Sequence, residues 1–148
     1  MPLDQSFVGR VYPPTATYEV SRAKIKEFAD AVGDANPLYR DPEAARAAGF
    51  PDVIAPPTFL TVVNLEAINA IVSDPELGLD YGRMVHGDQS FAYERPVHAG
   101  DVLAVTTTVA EIMNRAGNDF ITMRGDVRDA DDALVVTVQA QLVVRGAE

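Results

Sequence analysis

The sequence predicts an α+β protein, a largely antiparallel sheet packed on one buried helix. Three observations carry this. Residues 119–128 and 134–144 alternate apolar and polar side chains with period two, and 84–97 and 102–112 read as two further strands. Residues 58–72 hold one charge, Glu66, in fifteen positions, so they have little polar face to offer water. The helical patterns come first and the strands follow one another, which argues against a doubly wound parallel sheet.

The elements follow in chain order. Residues 1–20 are irregular and contain Pro13-Pro14. Ser21 can cap a helix in which Ile25, Phe28, Ala29 and Val32 repeat at i, i+3, i+4 and i+7, and Gly33 ends it. Asp41-Pro42-Glu43 starts a short helix with a cap, a first-position proline and a first-turn acid. Gly49 stops it, and Pro51, Pro56 and Pro57 break the chain. The β-branched residues of 58–72 tolerate a strand, but fifteen residues without a turn signal favour a helix, ended by Ser73-Asp74-Pro75. In the last strand Leu134, Val136, Val138, Ala140, Leu142 and Val144 share one face. Ile121, Met123, Gly125 and Val127 do so in 119–128, and Leu103, Val105 and Val109 in 102–112. Gly100-Asp101, Ala116-Gly117-Asn118 and Asp129–Asp132 are turn signals between strands.

A chain of 148 residues fits one domain spanning 1–148. Its net charge is −10 with no Lys/Arg cluster, so it is not expected to bind nucleic acid. No apolar run approaches the roughly 20 residues of a membrane span, and the start shows no secretory pattern, so a cytoplasmic protein is expected. There are no cysteines and only two histidines, His86 and His98. This excludes a Cys nucleophile and argues against a metal site. No Gly-rich phosphate loop is present, and no cofactor is expected.

Gly33-Asp34-Ala35-Asn36-Pro37-Leu38-Tyr39 lies between the first two helices. Taken alone, these are turn formers, and Asp34 and Asn36 can simply bond nearby backbone. The stretch also resembles the hydratase motif of the MaoC-like family, Gly-Asp-x-Asn-Pro-Leu-His, differing at its last position. Ala48-Gly-Phe, Ala55-Pro-Pro-Thr-Phe, Val85-His-Gly-Asp-Gln-Ser-Phe and Arg95-Pro-Val-His-Ala-Gly-Asp extend the resemblance over about residues 5–145. It is strongest to the N-terminal, FAS1-like domain type, which also occurs as the A- or C-type subunit of actinobacterial (3R)-hydroxyacyl-ACP dehydratases.

The resemblance implies a hot-dog fold, an antiparallel sheet wrapped round a long central helix. It implies an acyl-ACP or acyl-CoA thioester as substrate, with (3R)-3-hydroxyacyl dehydration, or enoyl hydration, as the reaction. In that family the motif His moves the C2 proton and the motif Asp positions the water at C3. Position 34 keeps the Asp, but position 39 is Tyr, whose ordinary pKa of about 10 suits a neutral-pH base poorly. Tyr39 is therefore read either as a residue orienting the thioester or as a packed aromatic. His86 is the other candidate for the catalytic set, and it also reads as a strand histidine. Asn36, Pro57, Thr58 and Phe59 are candidates for substrate binding, the last three because they mark the start of the central helix, where backbone N–H groups suit an enolate oxygen. Val62, Val63, Ile68 and Ile71 either line an acyl tunnel or are simply core.

Three assemblies follow from these expectations. In the first, a heterodimer, a hot-dog partner carrying the intact motif supplies the Asp/His dyad. In the second, a non-catalytic homodimer binds an acyl thioester or another apolar ligand. In the third, an active homodimer uses Asp34 with His86.

Overall fold

The computed structural model describes residues 2–146. Five antiparallel strands form one sheet: β1 (Tyr18–Glu19), β2 (Met84–Tyr93), β3 (Val102–Arg115), β4 (Asn118–Arg128) and β5 (Leu134–Val144). Their order across the sheet is β1-β3-β4-β5-β2, which leaves β2 on one edge. The helices are α1 (Arg22–Ala31), α2 (Pro42–Ala47) and α3 (Leu60–Val72). The α+β arrangement and the four long strands follow the alternation in the sequence.

Local signals act as their chemistry dictates. The Ser21 hydroxyl accepts from the Lys24 N–H at 3.1 Å and caps α1. Asp41 accepts from the Glu43 N–H at 2.9 Å and caps α2 behind Pro42. Ala116 and Gly117 both have positive φ between the paired residues Arg115 and Asn118, a two-residue hairpin whose twist matches its strands.

The sheet packs one face against α3. Leu60, Val63, Asn64, Ala67 and Ile71 are the buried residues of that helix. Burying a Leu60 or Ile71 side chain is worth about 1.5–3 kcal/mol. The opposite side of α3 is open: Thr61, Leu65, Glu66, Asn69 and Ala70 are exposed, Leu65 by 58%. This corrects the expectation of a wholly buried helix, because a single curled sheet covers only one side of it. The helix also starts at Leu60 rather than 58, since Pro56 to Phe59 form the entering turn, in which the Phe59 N–H donates to the Pro56 carbonyl.

Two irregularities adjust the strand pattern. A bulge between Val109 and Glu111 lets β3 run to Arg115 and places Ile112, like Val109, on the buried face. A second bulge at Gly87 shifts β2 against β5, so that His86 pairs with Leu142 and Gln89 with Ala140. Leu142 and Ala140 share the inner face, so His86 and Gln89 do too, although simple alternation would separate them. β2 stops at Tyr93 rather than 97, just before Arg95-Pro96 leaves the ladder.

The far edge of β3 is covered. The Gly9, Tyr12 and Thr15 N–H groups donate to the Val109, Thr107 and Val105 carbonyls at 2.8, 2.8 and 3.0 Å, and β1 continues along the same strand. The Tyr12 hydroxyl donates to Asp74 at 2.7 Å, pinning this strap to the end of α3. No helix among the described residues is long and apolar enough to cross a membrane.

Candidate active site

The loop after α1 is set by its own hydrogen bonds. Gly33 has φ +73°, its N–H reaches the Asp30 carbonyl at 3.1 Å, and the Asp34 N–H reaches Ala29 at 2.9 Å. That pair of bonds closes the helix with a glycine in the left-handed position. Asp34 Oδ1 then accepts from the Asn36 N–H, and Asn36 Oδ1 from the Leu38 N–H, both at 3.0 Å. The short 3₁₀ turn Pro37–Tyr39 follows, with Asn36 as its cap. Asp34 and Asn36 thus do local turn work, and the consequence is to swing Tyr39 inward, where it is 7% exposed.

Tyr39 forms the inner wall of a cleft of about 360 Å³ with Ile54, Pro57, Tyr93 and Arg95. Burial, with the charge of Asp34 second, raises the Tyr39 phenol above its ordinary value. Tyr93 comes from the end of β2, and its hydroxyl donates to the Pro57 carbonyl. Burial of that phenol, with Tyr39 nearby, pushes it up to about 12. Both phenols are therefore neutral at physiological pH: they can donate hydrogen bonds, but neither is a competent base. The cleft combines apolar walls with the Tyr39 phenol, the Tyr93 hydrogen being taken by Pro57, a surface suited to a carbonyl-bearing, largely apolar ligand.

Arg95 at the rim is held in place. Its guanidinium forks onto Asp101, 2.9 Å at each nitrogen, and reaches Asp129 at 3.2 Å. Asp101, 7% exposed, also accepts from the His98 N–H at 2.9 Å. The His98 ring Nδ1 lies 2.8 Å from the Ala99 carbonyl, so this histidine belongs to the knot that shapes the loop.

The remaining candidates lie apart. Thr58 is exposed at the cleft end of α3. Phe59 is fully buried, edge-on to Tyr18 and Phe28 at ring separations of 6.4 and 5.5 Å. Its N–H is already taken by Pro56, so the expectation that Phe59 offers a free donor is corrected. His86 lies seven residues from Tyr93 along β2, about 20 Å away. It lines a separate groove with Thr61, Gln89 and Ile68, and its Nε2 sits 2.9 Å from the Asp88 carbonyl. The chain brings Asp34, Asn36, Tyr39 and Pro57 together and does not bring His86 to them. Of the expected tunnel residues, Ile68 faces that groove, whereas Val63 and Ile71 are core.

A family model described as the FAS1-like, dehydratase domain region matches residues 6–138. The chain belongs to that family. A UPF0336 protein of Streptomyces avermitilis is 60% identical over 148 residues, covering 100% of this chain and 99% of its own. One solved structure similar to this FAS1-like dehydratase chain is a chain of the HadBC (3R-hydroxyacyl-ACP dehydratase) complex from Mycobacterium tuberculosis. It has 28% identity and a TM-score of 0.83 over 93% of this chain and 96% of that one. A MaoC-like dehydratase reaches 30% identity and a TM-score of 0.89 over 96% of this chain and 43% of that one. The curled five-stranded sheet on one helix is the hot-dog fold of these neighbours.

Two residues of the cleft escaped the sequence reading. Tyr93 looked like one more residue of an alternating strand, and its role depends on where β2 ends. Arg95 stood in a stretch already noted for its resemblance, but only the fold shows it clamped at the cleft.

Proposed function

We propose that this chain is a subunit of a (3R)-3-hydroxyacyl-ACP or -CoA dehydratase, acting reversibly as an enoyl hydratase. The C3 hydroxyl leaves with a proton, the C2 proton is removed, and the products are water and a trans-2-enoyl thioester. A hot-dog partner with the intact Asp/His motif supplies the base and acid, and this chain contributes its cleft to the thioester.

One observation carries the reading. The motif loop folds to bring position 39 into a cleft, and the side chain delivered there is a phenol held neutral. A site built to hold a thioester but lacking a base at neutral pH fits a binding half better than a complete enzyme. The open edge of β2 and the exposed side of α3 supply surface for a second hot-dog subunit, as does the likeness to a chain of the HadBC complex.

The test is hydration of crotonyl-CoA and a longer trans-2-enoyl thioester, followed by loss of enoyl absorbance. The chain alone should be inactive and should gain turnover when mixed with a hot-dog subunit carrying Asp and His. Robust turnover by the chain alone overturns the proposal. Thioester binding without turnover in any pairing points instead to a binding module.

A further inference from the structure

Each end of β2 carries a polar side chain on the inner face of the sheet. Tyr93 closes one end, at the tyrosine cleft, and His86 stands near the other, beside α3. His86 pairs with Leu142 and Tyr93 with Val136, both buried on the inner face, so both side chains lie on the helix side. The groove that His86 lines, of about 180 Å³, is walled by Leu65, Ile68, Ala140 and Leu142 and has no charged residue in its lining. His86 Nε2 lies 2.9 Å from the Asp88 carbonyl oxygen, which can only accept. The hydrogen of the neutral ring is therefore on Nε2, and Nδ1 is left as an acceptor.

β2 is ten residues long and has no neighbouring strand on one flank. A second subunit of this fold that joins its equivalent edge there does so about a two-fold or pseudo-two-fold axis, and strands related in that way run antiparallel. Such a union sets the start of one β2 against the end of the other. The His86 end of this chain then meets the end of the partner's strand where the partner's own motif loop and cleft stand. Paired strands lie about 5 Å apart, and diagonal neighbours on one face about 7–8 Å, a gap that an imidazole and a bound ligand span. The distance of about 20 Å along β2 that removes His86 from this chain's cleft is the displacement that carries it to the partner's.

We infer that His86 belongs to the partner's active site, as a substrate-positioning residue whose Nδ1 accepts a hydrogen bond from an amide N–H of the pantetheine arm that ACP and CoA thioesters share. This rests on the reading above, that the chain pairs with a hot-dog subunit carrying the intact Asp/His motif. The partner's dyad moves the protons, and His86 holds the arm that presents the thioester to it. The apolar walls strengthen such a bond, and the uncharged lining offers the arm no competing ion.

The experiment uses the full chain reconstituted with that subunit. The photoreactive variant His86→p-benzoylphenylalanine, at a position exposed in the single chain, should on irradiation join the two subunits at the partner's motif loop. His86→Leu should raise KM for crotonyl-CoA about tenfold, the worth of one hydrogen bond, with kcat lowered less. His86→Gln, whose amide oxygen still accepts, should recover most of that loss. The isolated His86→Leu chain should keep the wild-type melting temperature, which separates lost affinity from lost fold. If the photoreactive side chain prevents assembly, the Leu and Gln variants decide. A crosslink outside the partner's motif-bearing cleft, or an unchanged KM in His86→Leu, overturns this inference and leaves the heteromeric dehydratase standing. A chain that forms no active complex with any motif-bearing subunit overturns both.

Discussion

Tyr93 donates its phenolic hydrogen to the Pro57 carbonyl, fastening the last residue of the edge strand to the turn that leads into the central helix. The bond fixes the width of the cleft that Tyr39 backs. Tyr93→Phe should therefore cost about 1 kcal/mol in denaturant unfolding and lower the melting temperature by roughly 2–4 °C. An unchanged midpoint would show that the bond does not hold the cleft.

The same phenol gives an alkaline prediction. Its folded pKa, about 12, lies above the ordinary 10.0, so the fold favours the protonated form. That stabilisation is complete below about pH 10 and is lost as pH rises from 10 toward 12. Wild type should lose stability across that window more steeply than Tyr93→Phe, read as unfolding midpoints from pH 8 to 12.

An acid prediction comes from the bond between α1 and the loop before Ile54. The Arg22 guanidinium, 2.7 Å from Asp52, holds that carboxyl down to about 2 from its usual 3.8. A depressed carboxylate stabilises the fold above pH 4, and its contribution is lost as pH falls from about 4 to 2. Arg22→Gln should be less stable than wild type at pH 6, with the gap closing by pH 2. A gap independent of pH would remove the ion pair as its cause.

Arg95→Ala should leave Asp101 buried without its cation. Partner loss at such a site costs about 3 kcal/mol, and somewhat less here because the arginine side chain is 35% exposed. Thermal unfolding gives the stability loss, and binding of an acyl-pantetheine should weaken alongside it because the cleft rim is released. Weakened stability with unaltered binding would confine Arg95 to the fold.

Tyr39→His would complete the Asp/His pair within this chain. It should raise hydration of a trans-2-enoyl thioester by the isolated chain above the wild-type background. A folded variant with no gain would mean that Asp34, engaged with the Asn36 N–H, is not free to act.

Much of the fold was legible because it depends on local chemistry. Ser21, Gly33, Asp41 and Pro42 act within a few residues of themselves, and the strand alternation is a property of the pleat. What the sequence hid depends on pairing. The Gly87 bulge sets which face His86 takes, and the lone glycine in Val85–Ser90 hints at a bulge without fixing the register that follows. The position of Tyr93 beside Pro57 joins residues 36 apart, and the clamp of Arg95 on Asp129 joins residues 34 apart. The resemblance drew attention to position 39, which the fold sets in the wall of a cleft, whereas the spacing of Asp34 and Asn36 alone was equally consistent with an ordinary turn.

The strap over β3 has a consequence for stoichiometry. Residues 9–19 occupy one margin of the sheet, and Pro13 and Pro14 have no N–H with which to recruit another strand. Among the described residues β2 is the one long strand at an open edge, the opposite edge strand β1 being two residues long. Two chains joined through β2 would each consume that long edge in the union, so growth by strand addition would stop at two. In such a pairing the N-terminal segment would act as a chain terminator, leaving no second long edge for a fibre to grow from.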